Sequence, residues 1–441
     1  MRPRPLIGPP ASWSFPQPVV DRLDNGLTVW SYHLPGQYVV STALVMDLPL
    51  STEPVQSEGV ATICLRGLDE GSLDHPGLDY AARLESLGAQ FSGWASDSAT
   101  VCLLDLPAQW FEAGLACFAE GVSRPALADS DVARLVANRL AELDQLSASG
   151  SRLASWELRA SVLAPGQRRA RLTGGSRQTV AGLTGATVRD FHRQRYAPGL
   201  ATLIVAGDLG AGNVFSAVER AFAGWSASAQ PAQHPEARPG PSRQRLIDRP
   251  DAVQADIRLG CFGVGRTDPL WPAFQVACTL MGGSFSSRLN RVLREAEGWT
   301  YDVSVSNRSF RQGGLVSLAT STRTEAVAPL LERTWAILDP SDQPFSQAEV
   351  DDAINYLVGL APLSYATADA VVGQAAGLAS LGLGPELADA ALKAIARVKA
   401  DQAEQAWRQV VERERLSLVV VGPADQLAQP LGLRPEPAPQ L

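Results

Sequence analysis

The chain has 441 residues, more than one hydrophobic core usually serves, so two or more domains are expected. An apolar content of 45% and a charged content of 19% are those of an ordinary soluble globular protein and exclude long disorder. A formal charge of -8, with arginines scattered among acids rather than massed, gives no reason to expect a nucleic-acid partner.

The opening MRPRPLIGPPASWSF is broken by four prolines and cannot supply the apolar core of a secretory signal. Strands are predicted at 26–30 and 39–48, helices at 61–68 and 78–87, a strand pair at 88–94 and 100–106, and a helix from about 110 to 122. An apolar strand at 201–208 closes this half. Residues 226–250 carry five prolines and almost no large apolar side chain, which reads as a linker unable to form a helix or a central strand. The same order then recurs: a strand at 254–260, helices at 272–280 and 287–297, strands at 301–306 and 314–320, and a closing strand at 416–422. Ser346 and Glu349 form a capping box. The expectation is an internally duplicated α+β chain, with domains at 1–225 and 251–441 joined by 226–250, each a mostly antiparallel sheet with helices packed on it.

Cys64, Cys102, Cys117, Cys261 and Cys278 are odd in number, widely spaced and set among apolar neighbours, so free buried thiols are expected. The longest weakly polar run, 370–384, is glycine-rich and interrupted by Gln374, which suits a packed helix better than a membrane span. A cytoplasmic protein without membrane contact is expected.

Two stretches carry chemical interest. In EGVATICLRGLDEGS, residues 58–72, a helix would set Thr62, Leu65 and Arg66 on one face at i, i+3 and i+4. Paired imidazoles and a carboxylate at that spacing make a zinc site, but a hydroxyl, an alkyl chain and a guanidinium cannot. In MGGSFSSRLNRVLREAEGWTY, residues 281–301, paired glycines precede a helix begun by serine. Gly298 is placed to end that helix, and Tyr301 begins a strand in which Tyr301, Val303 and Val305 face one way. Arg294 and Tyr301 could meet in one cleft, where a guanidinium can hold a peptide carbonyl and a phenol can donate to a developing oxyanion. The glycine-rich start lacks the GK[ST] of a phosphate loop, no GxSxG elbow occurs, and the ten tryptophans are dispersed as core or interface anchors.

Both stretches resemble the insulinase or pitrilysin family of metallopeptidases, and the similarity extends over nearly the whole chain. The first keeps Gly59, Ala61 and Gly71-Ser72 of the frame G-x-A-H-x-x-E-H-x-x-x-x-G-T, with Thr62, Leu65 and Arg66 in place of the two histidines and the glutamate. LESLGA at 84–89 and FHRQRYAP at 191–198 continue the likeness. The second stretch is similar to the family's GG-x-FSSRL…RE-x-x-G-x-x-Y signature, whose Arg and Tyr complete the site from the domain opposite the zinc. Glu142 falls about where the family's third ligand would, and without imidazoles beside it a solvated helix residue is expected. His33, His75, His192 and His234 lie far apart and are expected on the surface or in loops.

The resemblance implies a half-shell of two domains that pairs with a homologous HxxEH-bearing catalytic subunit to enclose a peptide substrate. Zinc would sit in that partner, this chain would hold no cofactor and be inert alone, and Arg294 and Tyr301 would act in trans. A second reading is a catalytically dead structural or peptide-binding subunit, like the respiratory-complex core proteins.

Overall fold

The computed structural model describes residues 13–439, the side chains of 211 and 212 excepted. Of the opening segment read above, residues 1–12 lie outside the described residues.

Twelve described strands form two six-stranded sheets on either side of residues 226–243. The first sheet contains β1 (Val19–Arg22), β2 (Thr28–His33), β3 (Val39–Met46), β4 (Gln90–Ala95), β5 (Thr100–Pro107) and β6 (Ala201–Gly207), in the order β1-β2-β6-β3-β5-β4. The second contains β7 (Gln244–Asp248), β8 (Gln254–Gly263), β9 (Thr300–Ser309), β10 (Gly314–Arg323), β11 (Ser417–Gly422) and β12 (Pro435–Glu436), in the order β12-β7-β11-β8-β10-β9. β2-β6-β3-β5-β4 and β7-β11-β8-β10-β9 match strand for strand, each with one parallel pair followed by antiparallel ones. The duplication seen in the sequence is thus present in the topology, and the chain is α+β with two mostly antiparallel sheets.

Coverage of the sheets is exchanged between the halves. The helix Ala368–Ser380, from the second half, sets Val371, Val372, Ala375 and Ala376 against Trp30, Tyr32, Ala43, Val45 and Ile204 of the first sheet. Its small residues let helix and sheet approach closely. The helix Gly150–Val162, from the first half, lays Leu153, Leu158 and Val162 on Ile247, Val419 and Val421 of the second sheet. Both central strands are therefore covered on two faces, as the apolar runs of β3 and β11 require.

Three local expectations are corrected. Residues 226–250 do contain a strand, β7, lying between β12 and β11, because the run Leu246-Ile247 outweighs its polar flanks. The segment 287–297 is wound partly as π turns: Asn290–Ala296 is π-helical, with the Glu297 amide reaching back to the Val292 carbonyl at 3.0 Å. Tyr301 does not share the buried face of Val303 and Val305. The β9–β10 pairing shifts register between Thr320 and Thr322, a bulge that places Tyr301 and Asp302 against Ser321 and breaks the alternation. Gly298 ends the preceding turn at φ 64°, as its position predicted.

Candidate functional site

The glycines and acidic residues around Thr62, Leu65 and Arg66 have structural uses. Gly59 caps the helix Val60–Arg66 at φ 104°, where an added Cβ would stand 2.7 Å from the Gly174 carbonyl oxygen. Gly71 is likewise closed in, with a Cβ there 2.4 Å from the Gly77 amide. Glu53, its side chain fully buried, accepts from the Gly59 and Ala61 amides at 2.9 and 3.0 Å and from Arg168 at 2.6 Å. These residues hold a helix terminus independently of the side chains at 62, 65 and 66.

At those positions Leu65 is buried, and Thr62 and Arg66 border a cavity of about 530 Å³ between the sheets. Glu142 is not free in solvent. Arg66 donates to both its oxygens at 2.7 and 3.1 Å, and Arg139 adds a bond at 3.0 Å. Burial raises the Glu142 pKa, but the hydrogen bonds and charges of Arg66 and Arg139 outweigh it and the net shift is downward. The Arg66 and Arg139 guanidinium groups thus neutralise Glu142, the residue that the resemblance aligns with a third ligand. No group of three or more His, Cys, Asp or Glu among the described residues is placed to hold a metal.

The histidines are dispersed. His33 is exposed beside the Leu209 carbonyl. His75 pairs with Glu120 at 2.7 Å, and His234 with Asp47 at 2.7 Å, where Arg311 of the second half also meets Asp47. His192 departs from the surface expectation. It lies under Tyr196 with its Nε2 2.8 Å from the Val122 carbonyl, and burial lowers its pKa.

Arg294 and Tyr301 are placed by the π turns and the bulge. Tyr301 is 98% exposed, on the outermost strand of its sheet, so it is not a core aromatic. The Arg294 guanidinium lies 3.4 Å from the Phe285 ring centroid and donates to the Phe285 carbonyl at 3.2 Å and to Glu295 at 2.8 Å. Neither residue lines the cavity beside Thr62 and Arg66. That cavity meets β9 at Arg308, seven residues from Tyr301, or about 23 Å along an extended strand. The chain therefore does not bring its two motifs together.

Arg288 of the same signature has a role that the sequence reading missed. It holds both Glu349 oxygens at 2.8 Å and the Gln343 and Pro344 carbonyls at 2.6 and 2.9 Å, and packs over Phe345. Asn290 donates to the Val303 carbonyl at 2.8 Å and accepts from its amide at 3.0 Å, anchoring the helix to β9 below Tyr301. Much of the signature builds the platform that presents Arg294 and Tyr301. The capping box at Ser346 was the available signal for Glu349; nothing local pointed to its pairing with Arg288.

Residues 182–357 match the family described as the peptidase M16 inactive domain. An uncharacterized zinc protease of Streptomyces coelicolor is 31% identical over 257 residues, 56% of each chain. One of Rickettsia felis is 22% identical over 309 residues, 69% of this chain and 73% of the relative. The matched part spans about half the length of the Streptomyces relative. Among solved structures, a peptidase M16 inactive domain from Pseudomonas fluorescens is 22% identical with a TM-score of 0.85, covering 92% of this chain and 98% of that one. A Helicobacter pylori protease, 15% identical, superposes with a TM-score of 0.85 over 93% of this chain and 100% of that one. These two likenesses show a shared fold.

Proposed function

We propose that this chain, a relative of the M16 zinc peptidases that carries their inactive domain, is the non-zinc subunit of a two-chain metallopeptidase. The observation that carries this reading is Tyr301. An aromatic phenol turned out by a bulge and 98% exposed contributes nothing to this chain's own core, yet its base is fixed by Asn290 and the edge of the sheet. Such a group is spent on something brought to it. Zinc in an HxxEH-bearing partner would supply the activated water for peptide hydrolysis. Tyr301 donates a hydrogen bond to the tetrahedral oxyanion, and Arg294, released from Glu295, orients a substrate carbonyl.

A second reading, a structural or peptide-binding subunit, is favoured by one observation: Arg294 is already committed to Phe285 and Glu295. The two separate on mixing this chain with an HxxEH-bearing homologue from the same source and following cleavage of an unstructured peptide. Activity absent from either chain alone and present in the mixture supports the catalytic reading. A stable complex that stays inactive supports the structural one.

A further inference from the structure

A second cavity, of about 400 Å³, lies at the seam of the two halves, between the β4–β5 turn, the end of β9, the start of the Trp271–Cys278 helix and the Ala368–Ser380 helix. None of Thr62, Arg66, Arg294 or Tyr301 borders it, although it shares Trp94, Arg308 and Phe310 with the cavity beside Thr62 and Arg66. Its charges do not balance. Asp97, on its wall, gives one carboxylate oxygen to Arg159, while the other is buried without a hydrogen-bond partner. Arg266 and Arg308 have no carboxylate within salt-bridge distance among the described residues, although the Arg266 guanidinium carbon sits over Trp271, 3.6 Å from the ring centroid. Burial pushes the Arg266 pKa down to about 10, against the opposing effect of Tyr365. The rest of the wall is mixed: Trp94, Phe310 and Leu378 are apolar, while Gln275, Asn307, Gln374 and four serines are polar.

We propose that this cavity binds the free C-terminal carboxylate of a short peptide, held by Arg266 and Arg308, with the terminal side chain against Trp94, Phe310 and Leu378. Guanidinium forks match the two oxygens of a carboxylate, and the contact of Arg266 with Trp271 holds it in place before a ligand arrives. Inorganic phosphate offers the same oxygens but nothing to cover Trp94, Phe310 and Leu378, so those three side chains favour the organic acid. Only the choice of a peptide over other carboxylic acids rests on the peptidase reading, and the site needs no partner chain.

The test is calorimetric titration of the isolated full chain with acetyl-Ala-Leu-Phe as the free acid, with the same peptide as its C-terminal amide, and with inorganic phosphate. The free acid is expected to bind, with the amide weaker by about tenfold or more and phosphate weaker than the acid. Arg308→Gln, at an exposed position, and Arg266→Gln should each weaken the acid by about tenfold while circular dichroism stays unchanged. If Arg266→Gln unfolds the chain, Arg308→Gln decides alone. Equal binding of acid and amide, no binding of the acid, indifference of acid binding to Arg308→Gln, or phosphate binding as tightly as the acid would each overturn the proposal. None of these results bears on activity in a reconstituted pair, so this site and the trans site fail separately.

Discussion

The guanidinium of Arg66 grips both carboxylate oxygens of Glu142, at 2.7 and 3.1 Å, across 76 residues of sequence. Where a zinc peptidase would set a metal between two elements, this chain sets an ion pair.

The purified chain should therefore hold no stoichiometric zinc after dialysis. Thr62→His combined with Arg66→His would present two imidazoles at i and i+4 beside Glu142 and should acquire about one zinc, read by elemental analysis. Stoichiometric zinc on the unaltered chain would refute the reading of an empty site.

Arg66→Ala should cost little stability, about 1 kcal/mol or less, because the Arg66 and Glu142 side chains are 37% and 38% exposed and solvent screens the pair. Arg139 remains to hold Glu142. Urea unfolding at pH 7 measures it; a loss several times larger would mean that the pair is a structural centre rather than a substitute.

Acid should act on the Arg288–Glu349 pair. Hydrogen bonds from Arg288, against the opposing effect of burial, hold the Glu349 pKa down to about 2. A carboxyl depressed on folding stabilises the protein above its unfolded pKa of about 4.3, and that contribution is lost as pH falls from about 5 toward 2. Glu349→Gln should cost about 2–3 kcal/mol at pH 7 and flatten the decline of stability between pH 5 and 3. Parallel decline in variant and parent would assign the acid sensitivity elsewhere.

In a reconstituted pair, Tyr301→Phe should lower turnover by about 10²–10³, the usual cost of one oxyanion donor, and leave assembly unchanged. An exposed side chain that packs on nothing can lose its hydroxyl without unfolding the strand. Arg294→Ala should also weaken substrate positioning. Equal peptide cleavage by both variants and the parent would favour the structural subunit.

Limited proteolysis should begin within 226–232 rather than throughout 226–250. From Gln233 onward the segment is tied down: Ser51 donates to the Gln233 carbonyl at 3.0 Å, His234 meets Asp47, and the Gly240 amide reaches the Val162 carbonyl at 2.8 Å. A fragment ending at 225 should expose Trp30 and Tyr32, which the Ala368–Ser380 helix covers, and bind a hydrophobic dye until the second half is added. First cleavage within β6 would count against this division.

The sequence alone determined what local chemistry and period determine. Alternating and apolar runs placed most strands within a few residues, and the proline-rich stretch marked the passage between the sheets. Side-chain chemistry on one helix face carried the expectation that Thr62, Leu65 and Arg66 do not ligate zinc. Tertiary structure decided whatever depends on partners remote in the chain. Only the fold brings Arg66 to Glu142 and Arg288 to Glu349, and only the fold lays a helix from each half on the other half's sheet. The exposure of Tyr301 hangs on a one-residue mismatch with β10, and a bulge leaves no period of its own in the strand that carries it. That Arg266 and Arg308 meet no carboxylate among the described residues is likewise decided by packing, since it is a fact about neighbours in space and not about neighbours in sequence.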